Sequence, residues 1–571
     1  MMINPSCRSV LTWNVYKGNP ASTIIPRRPS VRKSWYFDDS ILPEFISTCK
    51  RDHAVCNISQ DHRMPTYLLK IPEDTAPEAS IQLVHHAPCV GYAALSYCWG
   101  GDQRIKLTVE TVAVFTTSGI PCSDLPMTIQ DAITTTRKLG LQYVWIDALC
   151  IIQNDPVHTR REIDLMPSIY QNAQVTIYAA RSSTVEQGFL SDIFVPGRDS
   201  HSFQIRIRGP DSLSRPGAPV CPSDLRGAVV CFSDDNGSNV NNPIEKRGWT
   251  FQELLLSPRL LEFGAYHTSY KCLELELCDA NFAQLYDGRS SEAFELVRVY
   301  FHKQQMGGDL KIWETAVRMY TMRQLTNPID RPLAISGIAA VLGRMPDLQG
   351  KYLAGLWKDE LPLQLLWEII DRRKPRSAEY RGPSWSWTAV DGTVAFLDHI
   401  PNGSPDRDLQ ILYTAIQLED SIVPHGAVSQ GSSITVRGWI IPKIVAEGGK
   451  SLIDIGHVGD ATDGCQDEPS SVTRSKPWRP VGRYGPMPLI HPDAMDELTD
   501  GATVYCLEVY PFDEKTDIAP YGLILAAAVG CEVGFRRIGT FRFFPRVAGA
   551  RFVSCRRHLS GLRGFCTGFD A

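Results

Sequence analysis

The most constraining feature of the sequence is an alternation of two apolar periodicities over residues 92–179. Short apolar runs at 91–97, 142–146 and 175–179 are typical of buried strands, and the segments between them carry apolar residues at helical spacing. Asp155 and the proline after it provide a cap and a first-turn residue for the second helix. Strands that alternate with helices predict a parallel sheet covered by helices, so we expect an α/β core here.

Polar residues lie where two of these strands end. Ser96 and Tyr97 close the first predicted strand, and Asp147 follows the second. Open α/β sheets bind ligands beyond the carboxyl ends of their strands. The sequence therefore predicts a site at this edge of the sheet.

Composition and pattern divide the 571 residues into several regions, as expected for a globular chain of this length. We expect a disordered basic leader at 1–40, an α/β region at 41–280, a mainly helical segment at 281–380 and a β-rich region at 381–571. The leader has no acidic residue before Asp38. Leaders of this composition include transit peptides, although its prolines disfavour an amphipathic helix, and both interpretations stay open.

Several classes of partner are disfavoured by bulk properties. A net charge of -5 disfavours a nucleic-acid ligand. The most apolar run, 522–530, is much shorter than the ~20 residues that span a bilayer. The 16 cysteines include no Cys-x-x-Cys pair, which favours a reduced, cytoplasmic chain.

One cluster has the spacing of metal ligands, because Cys49, His53 and Cys56 fall within eight residues. Structural zinc needs four ligands, and His85 or Cys89 is the candidate for the fourth. In the absence of a second clear pair, two buried thiols beside a hydrogen-bonded histidine is the favoured interpretation. We therefore predict no metal site.

Three sequence blocks, at 92–100, 143–173 and 247–261, together resemble the defining motifs of the fungal heterokaryon-incompatibility (HET) family. Each block alone is weak, but three in order are specific. Similar segments continue downstream, for example at 383–387 and 535–539. One departure is Ile152, where members of the family more often carry a polar residue, and it weakens a ligand role for this loop.

The resemblance implies a factor of fungal non-self recognition that triggers death of fused cells. It also implies self-association or a partner incompatibility protein. The HET fold is similar to the Toll/interleukin-receptor (TIR) fold, so we expect a flavodoxin-like parallel sheet core with a helical segment and a β-rich C-terminal region. Some members carry a nucleotide-binding domain, but no Gly-x-x-x-x-Gly-Lys phosphate loop occurs in this chain.

Some TIR domains cleave NAD with a glutamate four residues after a tryptophan, and Glu253 follows Trp249 at this spacing. Glu253 is therefore the candidate catalytic residue of an NAD glycohydrolase, with NAD as substrate and no cofactor firmly implied. A carboxylate near the ribose stabilises an oxocarbenium-like transition state. The candidate substrate-binding residues are Tyr97, Trp99, Gly100, Asp147, Gln153, Arg247 and Trp249.

Structural roles compete with each of these assignments. Glu253 could serve only as a helix residue, Asp147 could order the loop after it, and Trp249 could belong to the core. Two other functions stay open as well: a non-enzymatic signalling module that self-associates, and a small-molecule enzyme unrelated to cell death. A serine hydrolase is disfavoured, because no Gly-x-Ser-x-Gly motif occurs.

Overall fold

The computed structural model forms two compact units, residues 1–307 and 308–571, and each is described by itself. Only part of each unit is described. The described residues are 12–14, 41–57, 63–73, 79–87, 91–190, 203–206, 229–233, 242–264, 268–278, 298, 310–371, 374–397, 409–438, 440–446, 452–454, 489–510, 521–528 and 534–542.

The first unit is built on a nine-stranded sheet. The described strands of this unit are β1 (Thr12–Asn14), β2 (Tyr67–Lys70), β3 (Ser80–His85), β4 (Tyr92–Ser96), β5 (Ile120–Pro121), β6 (Tyr143–Trp145), β7 (Val175–Tyr178), β8 (Phe203–Arg206), β9 (Val229–Ser233), β10 (Arg259–Phe263), β11 (Thr268–Cys272) and β12 (Glu276–Cys278). Its helices are α1 (Ile41–Asp52), α2 (Val112–Thr117), α3 (Met127–Lys138), α4 (Asp147–Cys150), α5 (Pro156–Asn172) and α6 (Trp249–Leu256). The sheet runs in the order β12-β11-β10-β7-β4-β6-β2-β3-β5, and β1, β9 and β8 form a separate three-stranded sheet.

The centre of the large sheet is parallel, as the sequence predicts. β4 pairs in parallel with both β6 and β7, and β7 pairs in parallel with β10. Both β4 and β7 are buried along their whole length, which is typical of strands covered on both faces. The predicted alternation of strand and helix over residues 92–179 is confirmed.

The edges of the sheet are antiparallel, which corrects the expectation of a purely parallel sheet. β11 and β12 extend one side, and β2, β3 and β5 extend the other. For the hairpin of β10 and β11, the physical reason is the length of the connection. Four residues join β10 to β11, and so short a link permits only a hairpin, whereas a parallel crossover needs a dozen residues or more.

The order of the parallel strands places a switch point beside β4. Their order along the chain is β4, β6, β7, β10, but their order in the sheet is β6-β4-β7-β10. The chain therefore leaves β4 towards one side and later returns to its other side at β7. In open α/β sheets the crevice for a ligand lies outside the carboxyl ends of the strands at such a point.

The helices of this core begin and end close to the predicted residues. Asp155 caps α5 by accepting hydrogen bonds from the backbone N–H groups of Val157 (2.9 Å) and His158 (3.1 Å). The helix predicted to start at Trp249 is α6, which packs against α5 and β4. These contacts bring α6 to the carboxyl end of β4.

The second unit is β-rich towards its C-terminal end, as predicted. Its helices are α7 (Lys311–Thr321) and α8 (Ser336–Leu342). Its strands are β13 (Tyr352–Leu353), β14 (Leu356–Trp357), β15 (Glu368–Ile369), β16 (Val394–Ala395), β17 (Gln410–Ala415), β18 (Ser433–Arg437), β19 (Ile440–Val445), β20 (Leu452–Asp454), β21 (Leu489–Pro492), β22 (Thr503–Tyr510), β23 (Tyr521–Ala527) and β24 (Phe535–Arg542). β20, β19, β22, β23, β24 and β21 form an antiparallel sheet in this order.

The segment predicted to be mainly helical is helical only in part where it is described. Between 310 and 371, α7 and α8 are accompanied by short 3-10 turns and two-residue strands. The predicted leader at 1–40 lies outside the described residues, apart from β1. The loop predicted at 458–488 lies entirely outside them. Among the described helices, none combines the length and the apolar character that a membrane span requires.

Candidate functional site

Glu253 is a carboxylate on a helix that is buried almost all round. Residues 250–256 of α6 are all buried, and Glu253 itself is 6% exposed. Trp249, one turn earlier, is partly exposed at the start of the helix. Burial of an ionisable side chain is costly unless other polar groups face it, so the neighbours of Glu253 decide its state.

The neighbours of Glu253 act on its carboxyl in opposite directions. Burial raises the pKa of Glu253 to about 7, and the nearby negative charge of Asp147 acts in the same direction. The hydroxyls of Ser96 and Tyr170 and the positive charge of Arg247 lower this pKa. Burial thus extends the pH range over which Glu253 is protonated beyond that of an exposed glutamate.

Asp147 is the second carboxylate of the site and begins α4, directly after the strand β6. The indole Nε1–H of Trp99 donates to its Oδ2 (2.9 Å), and the backbone N–H of Ala148 donates to its Oδ1 (2.7 Å). Burial raises the pKa of Asp147, while these two hydrogen bonds and the charge of Arg247 lower it. Trp99 therefore fixes the position of the carboxylate and favours its ionised form.

Tyr97 and Arg247 complete the polar part of the site. The guanidinium Nη1 of Arg247 donates to the carbonyl oxygen of Tyr97 (3.4 Å). Burial holds the pKa of Tyr97 well above its usual range, and the charge of Asp147 adds to this effect. The phenol is thus a neutral hydrogen-bond donor at physiological pH.

Two hydroxyls at the end of β4 retain capacity to bind a ligand. Ser96 and Tyr97 are both buried, at 0% and 3% exposure. Their hydroxyls face Glu253 and Asp147 respectively but make no hydrogen bond of good geometry. Buried polar groups normally have partners, so a pair of this kind at a strand end is typical of a binding site.

Gly100 and Gln153, two other predicted binding residues, shape the backbone around the site. Gly100 has φ +75°, and a Cβ at this position would lie 2.5 Å from the side chain of Thr184, so glycine is required for the turn after β4. The Nε2 of Gln153 donates to the carbonyl oxygens of Asp147 (3.1 Å) and Ile151 (2.9 Å). Gln153 therefore orders the loop after α4.

The structure brings most of the predicted residues into one group, which we call the Glu253 cluster. Its members, which share mutual contacts or electrostatic interactions, are Ser96, Tyr97, Trp99, Asp147, Tyr170, Arg247 and Glu253. Tyr170 was not a predicted site residue. Its sequence signals are a place on the apolar face of α5 and a place in the block at 143–173, and neither distinguishes a site residue from a core residue.

A second group of reactive side chains lies elsewhere in the first unit. Cys272 of β11 lies beside Cys49, His53 and Cys56. The potential ligand atoms of these four residues all lie within 4.8 Å of one another. From the sequence, His85 or Cys89 was the candidate for the fourth ligand, which the structure replaces with Cys272. His85 instead lies beside Tyr67, with the two rings tilted (5.0 Å between ring centroids), and Cys89 lies outside the described residues.

Comparison with known proteins identifies the region that holds the Glu253 cluster. Residues 92–253 match the sequence model of the family described as Heterokaryon incompatibility protein (HET). The match begins at the first residue of β4 and ends on Glu253. No curated protein and no solved structure matches the chain. Residues 92–253 are therefore identified as a HET domain.

Proposed function

We propose that this chain acts in heterokaryon incompatibility, the role that its HET domain implies, and that it does so by cleaving NAD at the Glu253 cluster. The observation that carries the proposal is the state of Glu253. A buried carboxyl with a pKa of about 7, beside a second carboxylate and an arginine, is typical of a catalytic group.

The strand order supports the expectation of a TIR-like fold. Numbered by their order in the chain, the parallel strands β6-β4-β7-β10 read 2-1-3-4 across the sheet, which is the flavodoxin-like order. Ser96 ends the first of these strands at the switch point. The Glu253 cluster thus occupies the place where flavodoxin-like sheets bind their ligands.

The proposed reaction is hydrolysis of the N-glycosidic bond of NAD. The bond between the ribose carbon and the nicotinamide nitrogen breaks, and its electron pair stays with nicotinamide, which leaves as a neutral molecule. Water adds to the ribose carbon, and its proton passes to the ionised carboxylate of Glu253 before release to solvent. The carboxylate also stabilises the oxocarbenium-like transition state, because positive charge develops on the ribose beside it.

The other candidate binding residues have roles that match their chemistry. Trp99 of the cluster and Trp249 at the start of α6 are partly exposed aromatic rings that can stack on a base. Arg247 offers a planar cation for a phosphate, and the buried hydroxyl of Ser96 is placed to donate to a ribose oxygen. Partly exposed rings and a cation beside a buried carboxylate suit a substrate that is both aromatic and anionic.

The decisive experiment measures nicotinamide release from NAD by the purified full chain. We expect release by the wild type, a loss of at least about 100-fold in Glu253→Gln, and no loss in Glu186→Gln. Glu186 is an exposed glutamate of the same domain, so its variant is the matched control for charge removal. Circular dichroism and the melting temperature verify that both variants are folded.

The alternatives give different results in the same test combined with expression in fungal cells. A self-associating module would arrest growth without releasing nicotinamide, and Glu253→Gln would arrest growth equally. An enzyme of unrelated small-molecule metabolism would do neither. Equal nicotinamide release by wild type and Glu253→Gln would refute the catalytic role of Glu253.

A further inference from the structure

The group formed by Cys49, His53, Cys56 and Cys272 joins parts of the chain that are distant in sequence. Cys49 lies on α1, Cys56 on the 3-10 turn Ala54–Asn57, and Cys272 at the end of β11. The three cysteines are buried, and His53 is partly exposed. This group shares no residue with the Glu253 cluster, so its role can be tested without reference to NAD cleavage.

The spacing of the four donor atoms fits a tetrahedral metal ion. Zinc–sulfur and zinc–nitrogen bonds of about 2.3 Å and 2.0–2.1 Å place neighbouring donors roughly 3.5–3.8 Å apart. Here the donors all lie within 4.8 Å of one another, and Cys272 Sγ is 3.3 Å from His53 Nδ1. Small side-chain movements therefore complete the tetrahedron.

The surroundings of the sulfur atoms suit thiolates rather than thiols. The Nε–H of Arg259 donates to Cys49 Sγ (3.1 Å), and the backbone N–H of Leu275 donates to Cys272 Sγ (3.2 Å). Metal-bound thiolates accept hydrogen bonds of this kind from the second layer of residues. The guanidinium of Arg259 is also held by the side chain of Asn57, so its position is fixed.

The charge balance points to a divalent ion. Three thiolates, one neutral imidazole and one divalent cation carry a net charge of about minus one. Arg259 is only 4% exposed and contacts one of the thiolates. One buried arginine therefore neutralises the complete site, whereas three thiols without a metal leave that cation with no counter-charge in the group.

We propose that Cys49, His53, Cys56 and Cys272 bind one structural zinc ion in a closed Cys3His site. Sulfur and imidazole ligands in tetrahedral arrangement favour zinc over magnesium, calcium and manganese. The site would tie α1 and the turn after it to β11, which precede and follow the HET domain in sequence. Because the ion binds the folded chain preferentially, it would stabilise the first unit against unfolding.

The first test is the zinc content of the full chain, purified under reducing conditions without chelators. We expect about one zinc per chain by mass spectrometry of the metal, a loss to background in Cys272→Ser, and an unchanged content in Cys122→Ser. Cys122 is a half-buried cysteine of the same unit outside the group, so it controls for loss of a thiol. Zinc retained by Cys272→Ser would overturn the assignment of the fourth ligand.

The second test does not depend on the stability of Cys272→Ser. Replacement of zinc by Co²⁺ in the wild type should give visible absorption bands of a tetrahedral thiolate complex. His53→Cys keeps four ligands and should retain the metal with shifted bands. A wild-type chain that contains no zinc and gives no Co²⁺ bands would refute the proposal, as would a disulfide between two of the cysteines in protein purified from the cytoplasm.

Discussion

Replacement of Glu253 by glutamine should remove a pH-dependent cost to stability that arises from the burial of this carboxyl. The pKa of Glu253 rises from its usual 4.5 to about 7 in the folded chain, with burial as the main cause. A carboxyl whose pKa is higher in the folded than in the unfolded state binds its proton more tightly on folding. Its contribution to stability is therefore complete below pH 4.5 and is lost as the pH rises to about 7.

The size of the effect follows from the two pKa values. At about 1.4 kcal/mol per pKa unit, the interval from 4.5 to about 7 corresponds to about 3 kcal/mol. Glutamine has a similar shape but does not titrate. The stability of Glu253→Gln relative to the wild type should consequently increase by about 3 kcal/mol between these pH values and stay constant above them. Any loss of hydrogen bonds in the variant adds an offset that does not depend on pH.

The assay is urea unfolding of the full chain at a series of pH values from 4.5 to 8. Because the chain forms two compact units, two transitions are expected, and hydrogen-exchange labelling of peptides from α6 identifies the transition of the first unit. The quantity compared is the difference in unfolding free energy between variant and wild type at each pH. This difference cancels the contribution of Glu162, a second buried carboxyl whose pKa burial raises to about 7.

Two stability curves that stay parallel across this pH range would refute the reasoning, because Glu253 would then ionise alike in the folded and unfolded states. The exposed Glu186→Gln variant is the control, and its difference from the wild type should not change with pH. The pH dependence of nicotinamide release tests the same pKa through activity. If the ionised form of Glu253 acts, nicotinamide release should rise with pH through about 7.

Three further substitutions test individual contacts by the midpoint of urea unfolding. Trp99→Phe keeps an aromatic ring but removes the Nε1–H bond to Asp147, and should cost about 0.5–1.5 kcal/mol. An unchanged midpoint at neutral pH would contradict this. Asp155→Ala removes the cap of α5 and should cost about 1 kcal/mol, seen in the transition of the first unit. Arg537→Leu in the second unit leaves Asp493 buried without its bidentate partner and should cost about 3–5 kcal/mol, a loss that a wild-type midpoint would disprove.

The parallel centre of the fold could be predicted because its signals are local. The apolar runs of β4, β6 and β7 and the helices between them follow from periodicity and from the cap at Asp155. The edges could not be predicted in the same way. Short strands such as β2 and β11 carry no mark of their direction, which the length of the connecting loop decides.

The candidate site shows the same division between local and long-range information. Trp249 and Glu253 share a helix, so their spacing was visible in the sequence, whereas the approach of Tyr170 depends on how α5 packs against α6. The fourth ligand of the proposed zinc site is the extreme case. Cys272 is more than 200 residues from Cys56, and no spacing rule connects two such positions.

The folding unit of the HET domain is larger than the region that matches the family. The match contains β4, β6 and β7, which form a continuous parallel group, but their neighbours β2 and β10 lie outside it. A fragment of residues 92–253 would therefore expose unpaired edges on β6 and β7, both apolar and prone to aggregation. The flanking strands supply the missing pairs, and one of the next strands, β11, carries Cys272. The proposed zinc site thus joins one of these added strands to α1, outside the match, whereas the Glu253 cluster lies at the centre of the sheet.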